Sequence, residues 1–266
     1  MKIEIKNVRA TEICFNNKYY KTKEPIDVTL SEGLRLARLF QGADLTVDRV
    51  PYNPEIFKNE KRFVFLSDID TVSGWGNVSL NLIKNSKEFD VSLIGKLMAV
   101  HEPSVLKAAT REIDSGMGIV VHEQPKENWF SIPFQRKIAI VPFETTVIPA
   151  SWIARINTCV ALLVPCQQNV EAFKASGVTI PIEVIHWGVD DLNYYEVNRS
   201  EDRPFTFGTM GALSTRKGTD ILVDAFLKAF PNERDVELRC KTSFNGFHWA
   251  SRDPRVRVDL TQWSYS

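Results

Sequence analysis

A basic pair followed by a glycine, Arg216-Lys217-Gly218, is the part of the sequence best suited to bind an anion. A strand pattern ends at Gly211 just before it, and from Thr219 the apolar residues recur with the period of an amphipathic helix. The first turn of a helix carries unpaired N–H groups and a partial positive charge, which favour a phosphate. We therefore expect a diphosphate to bind at this turn. The same pattern also fits an ordinary strand–helix unit with solvated charges.

The spacing at this turn excludes two well-known phosphate loops. A Walker loop needs glycine, lysine and then serine or threonine, whereas the order here is Lys217-Gly218-Thr219. A dinucleotide fingerprint needs three spaced glycines, which Gly208 and Gly211 do not supply. The expected diphosphate site therefore belongs to neither class.

Two further candidates follow directly after a predicted strand, residues 117–121. His122 and Glu123 stand at its carboxyl end, which is the edge where parallel sheets bind their ligands. Both residue types can orient an acceptor hydroxyl or take its proton as a general base. A polar turn with a hydrogen-bonded histidine explains the pair equally well.

A glycine-rich turn, Ser73-Gly-Trp-Gly-Asn77, stands between a predicted strand, residues 63–66, and a helix predicted from Val78 to about Lys87. Its residues Gly74, Trp75 and Gly76 could contact a sugar, with Trp75 stacked on the ring or simply packed in the protein. The glycine spacing nearly matches a dinucleotide fingerprint, but no carboxylate ends the next predicted strand, residues 91–95, where a ribose-binding acid is needed. An NAD-dependent oxidoreductase or epimerase is therefore the least favoured function.

Two single charged residues also stand at the ends of predicted strands. Glu144 follows residues 137–142 and could bind a sugar hydroxyl, or it could cap the next turn. Lys241 ends residues 236–241 and could reach a diphosphate, although a solvated lysine is nearly as common at such a position. Neither signal is specific by itself.

Three motifs together resemble nucleotide-sugar glycosyltransferases with the GT-B fold, and most closely the retaining family 4. Arg216-Lys217-Gly218 with the helix after it is similar to the RKG-x-D-x-L-x-x-A-F signature of that family. The run from Phe143-Glu144 through Trp152 and the segment His186-Trp-Gly-Val-Asp190 resemble two further family motifs. The resemblance covers residues 63 to about 260.

The sequence departs from the family pattern at two positions. Ala212 follows Gly211, where many members carry arginine, so the grip on the diphosphate could be weaker or completed elsewhere. Cys166 stands where serine is usual.

The resemblance implies transfer of a sugar from a nucleoside diphosphate sugar to a glycan or another hydroxyl acceptor, with retention of anomeric configuration. The catalytic roles would fall to His122 and Glu123. The donor diphosphate would be bound by Gly211, Arg216, Lys217, Gly218 and Lys241. The sugar or acceptor would be bound by Gly74, Trp75, Gly76 and Glu144. The nucleotide sugar is a co-substrate, and neither a cofactor nor a metal is implied.

The patterns divide the chain into three expected segments. Residues 1–58 predict a small β-rich appended module with a hairpin around Asn16-Asn17 and a helix between Ser31 and Gly42. Residues 59–190 alternate strands and helices, which predicts an α/β fold with a Rossmann-type, doubly wound parallel sheet forming the acceptor side of a GT-B-like protein. Residues 191–266 predict a linker and a truncated, donor-side Rossmann-like domain.

The last segment is shorter than the roughly 100–150 residues of a Rossmann-like domain. The pair of glutamates that holds the donor in the resembling family has no counterpart in it. We therefore expect a truncated chain or a natural half-enzyme with slow or no transfer. The alternative is a non-catalytic glycan- or nucleotide-binding half-protein. Uncovered strand edges would favour self-association, such as a homodimer.

Composition excludes several classes of protein. The chain of 266 residues has 33 basic and 33 acidic residues, so no overall field favours nucleic acid. Four widely spaced cysteines without a CxxC pair are typical of reduced thiols. The N-terminus lacks the apolar segment of a signal peptide, and the longest apolar run is too short for a transmembrane helix. We expect a cytoplasmic protein without a transmembrane segment.

Overall fold

The computed structural model describes residues 2–5, 12–15, 18–21, 25–29, 32–33, 35–36, 43–46, 61–71, 73–113, 117–132, 134, 136–189, 196, 203–211, 217–242 and 253–259. The chain divides into two compact units, Met1–Gly188 and Val189–Ser266. In the ranges given, no helix is both long enough and apolar enough to cross a membrane.

Five short strands begin the first unit. They are β1 (Lys2–Ile5), β2 (Glu12–Phe15), β3 (Lys18–Lys21), β4 (Pro25–Asp27) and β5 (Ala43–Thr46). Strands β2 and β3 pair antiparallel on either side of Asn16-Asn17, while β1 pairs antiparallel with both β4 and β5. Residues 32–33 and 35–36 of the predicted helix are helical, and its ends lie outside the described residues. Strand β5 was not predicted.

A six-stranded parallel sheet forms the centre of the first unit, and it confirms the predicted α/β, Rossmann-like architecture. Its strands are β6 (Arg62–Leu66), β8 (Asp90–Ile94), β10 (Gly118–Val121), β11 (Lys137–Ile140), β12 (Ala161–Val164) and β13 (Ile182–Val184). The spatial order is β13-β12-β11-β10-β6-β8. Two further short strands, β7 (Ile69–Asp70) and β9 (Leu97–Met98), pair in parallel with each other.

Helices connect these strands and cover both faces of the sheet. They are α1 (Gly74–Asn85), α2 (Pro103–Thr110), the 3₁₀ helix (Glu127–Ser131), α3 (Ala150–Ile156) and α4 (Gln167–Ala175). Alternate residues of β6 point to opposite faces, so Phe65 packs in the cluster with Leu80 of α1 and Val105 of α2. Val64 packs in the second cluster, which also contains Phe173 of α4. Burial on both faces explains why the strands are nearly continuous apolar runs.

The order of the strands reverses at β6. The chain passes from β6 to β8 at the edge and then crosses back to β10 on the other side of β6. In open parallel sheets the crevice outside the carboxyl ends of the two strands at such a reversal is the usual ligand site. That crevice lies between the segments that follow β6 and β10.

The prediction of a loop at Ser73–Asn77 with a helix from Val78 was wrong, because α1 begins at Gly74. Ser73 caps the helix, and its Oγ accepts a hydrogen bond from the Gly76 N–H at 3.0 Å. The glycines suggested a loop because they disfavour helix interiors, whereas the cap stabilises the first turn.

The second unit contains a three-stranded parallel sheet and one described helix. Its elements are β14 (Phe205–Met210), α5 (Thr219–Ala229), β15 (Val236–Lys241) and β16 (Val256–Asp259), with strand order β14-β15-β16. Helix α5 packs its Val223 and Phe226 on one face of this sheet, in a cluster with Leu238 and Cys240. The strand–helix–strand pattern predicted around the basic turn is therefore present.

Candidate functional site

The site is centred on His122, which directly follows β10 at the point where the strand order reverses. Its backbone N–H donates to the Leu66 carbonyl at 2.9 Å, which continues the pairing between β10 and β6 by one residue. The residue is only 1% exposed. A polar ring is therefore held inside the carboxyl edge of the sheet.

Two serines connect the His122 ring to the protein backbone. Ser79 Oγ in α1 lies 2.7 Å from His122 Nδ1, and Ser67 Oγ after β6 lies 2.8 Å from Ser79 Oγ. Ser67 Oγ in turn donates to the Asp68 carbonyl at 3.1 Å. At the other end, His122 Nε2 is buried and has no hydrogen-bond partner within the described ranges. The three side chains form a chain of hydrogen bonds with one open end.

Burial disfavours the charged imidazolium and lowers the pKa of His122 to about 4. The ring is therefore neutral at pH 7. The half-buried Trp75 lies against it, with ring centroids 4.7 Å apart and planes tilted by 32°. The structure thus brings together two of the predicted site residues, Trp75 and His122.

Glu123 lies beside His122 in sequence but makes separate contacts. Its Oε1 accepts from Trp129 Nε1 at 3.1 Å, and its Oε2 accepts from Lys126 Nζ at 2.9 Å. Trp129 belongs to the 3₁₀ helix and is fully buried. These bonds give Glu123 a structural role in holding the 3₁₀ helix against the sheet.

The two glycines of the predicted sugar-binding turn differ in their surroundings. A Cβ on Gly76 would overlap the backbone and carboxylate of Asp70, whereas a Cβ on Gly74 would meet nothing within 4 Å. The Asp70 carboxylate accepts from both the N–H and the Oγ of Ser73, the latter at 2.6 Å. A negative charge therefore already lies at the start of α1, which disfavours a dinucleotide pyrophosphate there.

Glu144 lies on the turn that follows β11, the neighbour of β10 in the sheet. Its side chain is exposed. The turn is held by Asn169, whose side-chain amide donates to the Phe143 carbonyl at 2.6 Å and accepts from the Phe143 N–H at 3.3 Å. The turn is therefore anchored to α4. The sugar-binding role of Glu144 stays a prediction.

In the second unit, the predicted diphosphate-binding turn is described in part. Gly211 after β14 has φ 139° and Gly218 before α5 has φ 66°, conformations that favour glycine. Lys217 is exposed at the amino end of α5, and Arg216 lies outside the described residues. Lys241 forms an ion pair with Asp259 on the adjacent strand, with Nζ and Oδ2 3.0 Å apart.

Sequence reasoning missed Ser67, Ser79 and Asp70. Ser67 and Asp70 could have been found because polar residues directly follow or end strands at this edge. Ser79 lies with Gly76, Leu80 and Ile83 on the buried face of α1. A hydroxyl residue on the apolar side of a helix pattern is the sequence feature that could have identified it.

Neither a protein-family model nor a curated protein matches the chain. Within the described ranges, no group of three or more histidine, cysteine, aspartate or glutamate residues could hold a metal ion.

Proposed function

We propose that the protein is a GT-B-like, metal-independent glycosyltransferase that moves a sugar from a nucleoside diphosphate sugar to a hydroxyl acceptor with retention. The observation that carries the proposal is the buried His122 Nε2, which has no partner within the described ranges and lies where the strand order reverses. Leaving a buried polar atom without a hydrogen bond is costly unless a ligand supplies one. The motif resemblance favours a nucleotide sugar as that ligand.

The first unit would bind the sugar or the acceptor. A neutral imidazole next to an indole face suits a sugar, which presents hydroxyls at its edge and C–H groups on its faces. Trp75 and His122 would supply these two surfaces, and their rings lie against each other with centroids 4.7 Å apart. Glu144, on the turn after the neighbouring strand, would bind a further hydroxyl.

The second unit would bind the donor diphosphate. The first turn of α5 offers backbone N–H groups, since its cap residue Gly218 has no side chain to accept from them. Lys217 precedes this turn, and it would stabilise negative charge on the leaving diphosphate together with Arg216.

A second candidate is a non-catalytic glycan- or nucleotide-binding protein. It is favoured by the state of the two predicted catalytic residues, because a histidine with a pKa of about 4 is a weak base at neutral pH. Both carboxylate oxygens of Glu123 are also engaged, with Trp129 and Lys126. Binding without turnover would fit these features.

The test is calorimetry of the purified chain with UDP, GDP and their sugars, followed by incubation with radiolabelled donors and a panel of hydroxyl acceptors. Lys217→Ala is expected to weaken nucleotide binding at least about tenfold, because it removes a charge-assisted hydrogen bond. Lys228→Ala, near the other end of α5, is the matched control and should bind like the wild type. Metal-independent transfer supports the enzyme, while binding alone supports the second candidate. If no nucleotide binds, or if both variants bind equally well, the donor site is wrong.

A further inference from the structure

The hydrogen bonds that link Ser67, Ser79 and His122 each have a defined donor and a defined acceptor. The Asp68 carbonyl can only accept, so the Ser67 hydroxyl uses its single proton on it, at 3.1 Å. Ser67 Oγ must then accept from Ser79, whose single proton is thereby used. Ser79 Oγ is left as an acceptor, so His122 Nδ1 must donate to it.

We infer that Ser67 and Ser79 are positioning residues that hold the proton of His122 on Nδ1, so that Nε2 carries a lone pair and accepts a hydrogen bond from a ligand hydroxyl. This inference rests on the proposed function, because it names the ligand group that the same site accepts. A neutral imidazole has one donor and one acceptor nitrogen, and the serine chain decides which is which. Burial, which keeps the ring neutral at pH 7, agrees with this arrangement.

The direction of these hydrogen bonds also determines which ligand groups His122 Nε2 excludes. A lone pair in a buried site repels phosphate and carboxylate oxygens, which can only accept. A sugar hydroxyl can donate to it. In the first unit, His122 therefore selects for the sugar portion of a nucleotide sugar and against its diphosphate.

The inference is tested first on the unaltered protein by nitrogen NMR of ring-labelled histidine at pH 7. The chain has four histidines, and the signal lost in His122→Asn identifies the relevant one. We expect Nδ1 at the shift of a protonated ring nitrogen and Nε2 at the shift of an unprotonated one. The opposite assignment in the wild type overturns the inference, and this measurement needs no ligand and no other variant to fold.

Ser67→Ala tests the serine chain itself. Without Ser67 as acceptor, the Ser79 hydroxyl can turn and donate to Nδ1, so we expect a substantial part of the His122 proton population to move to Nε2. Ser92→Ala is the matched control, because Ser92, in β8, is also a buried serine that donates to a backbone carbonyl, that of Glu112 at 2.9 Å. An unchanged His122 signal in folded Ser67→Ala would show that the two serines do not hold the proton on Nδ1.

Ligand titrations separate this inference from the proposed function. Adding UDP-glucose or GDP-mannose should shift the Nε2 signal, whereas UDP or GDP alone should not, and Ser67→Ala should weaken binding of the nucleotide sugar about tenfold. If none of the four probes binds, the proposed function fails while the proton position remains measurable. If UDP and GDP shift Nε2 as strongly as their sugars do, the hydroxyl assignment is overturned.

Discussion

The six-stranded parallel sheet of the first unit and the three-stranded parallel sheet of the second unit differ in how their faces are used. The six-stranded sheet of the first unit is buried on both faces, with separate apolar clusters that contain Phe65 and Val64. In the three-stranded sheet of the second unit, α5 packs on one face. The pairing register places charged residues on the opposite face, namely Glu237, Arg239, Lys241, Arg257 and Asp259.

The charged face of the second sheet is held together by ion pairs and hydrogen bonds. Glu237 accepts from Thr206 Oγ1 at 2.8 Å and from Arg239 Nε at 2.7 Å. The hydrogen bond from Thr206 is the main cause that lowers the pKa of Glu237, and Arg239 adds to it. Parallel sheets are usually covered on both faces, so the alternation of polar and apolar residues in β15 marks a difference between the units.

The difference shows where polar groups can be tolerated. In the first unit the polar side chains of the site lie at the carboxyl edge of the sheet, where Ser67, Ser79 and His122 are buried and hydrogen-bonded to one another. In the second unit they lie across a sheet face. Changes at the buried edge should therefore cost more than changes at the exposed members of the charged face, such as Arg239 and Asp259.

The largest expected effect is the pH dependence of the first unit. The pKa of His122 is about 4 in the folded protein and 6.5 ordinarily, so below pH 6.5 the unfolded chain binds a proton that the folded chain does not. The contribution of the neutral His122 ring to the free energy of unfolding is therefore complete above pH 6.5. It is lost as the pH falls to 4, and the loss amounts to about 3 kcal/mol. Asp253, whose pKa the hydrogen bonds from Arg255 lower to about 2, stays charged in this range.

Urea denaturation at pH 7 and pH 4.5 checks this prediction. His122→Asn should lose most of the difference between the two pH values, while His101→Asn, which changes an exposed histidine, should keep it. Equal pH dependence in the wild type and in His122→Asn would contradict the role of the buried ring.

A smaller effect is expected from a pair of glycine substitutions, one in each unit. In Gly95→Ala the new methyl group would overlap the Ser67 carbonyl oxygen, so the backbone must shift, at a cost of about 2 kcal/mol. In Gly208→Ala the methyl group would meet nothing within 4 Å, and the change should be within about 0.5 kcal/mol of neutral. Chemical denaturation measures both, and a Gly208→Ala cost as large as that of Gly95→Ala would remove the contrast.

The smallest expected effect is on the charged face itself. Asp259→Asn removes a carboxylate that forms an ion pair with Lys241. Since Asp259 is exposed, the loss of stability should be below about 1 kcal/mol and should shrink in high salt. If Lys241 contacts the donor diphosphate, the same variant should bind UDP or GDP more tightly, because a nearby negative charge is gone. Asp224→Asn, an exposed carboxylate on α5, is the control. A large destabilisation would show that this face is more strongly coupled than its exposure indicates.

The succession of strands and helices could be predicted from the sequence. Apolar runs such as residues 118–121 and the periodic pattern of α5 are short-range signals, and they placed His122 at a strand end and Lys217 at a helix start. The start of α1 could not be predicted from the same kind of signal, because the Ser73 cap acts against two glycines with poor helix propensity.

The chemistry of the site depended on contacts between distant segments. Ser67 and Ser79 are 12 positions apart and Ser79 and His122 are 43 apart, and they meet only because β6 lies between β8 and β10. The same packing buries His122 and directs Glu123 to Trp129. The sequence by itself determined which polar residues end the strands, because local patterns set the strands. The tertiary structure decided which of those residues meet and which nitrogen of His122 is left without a partner, because strand order and burial are set by packing across the whole sheet.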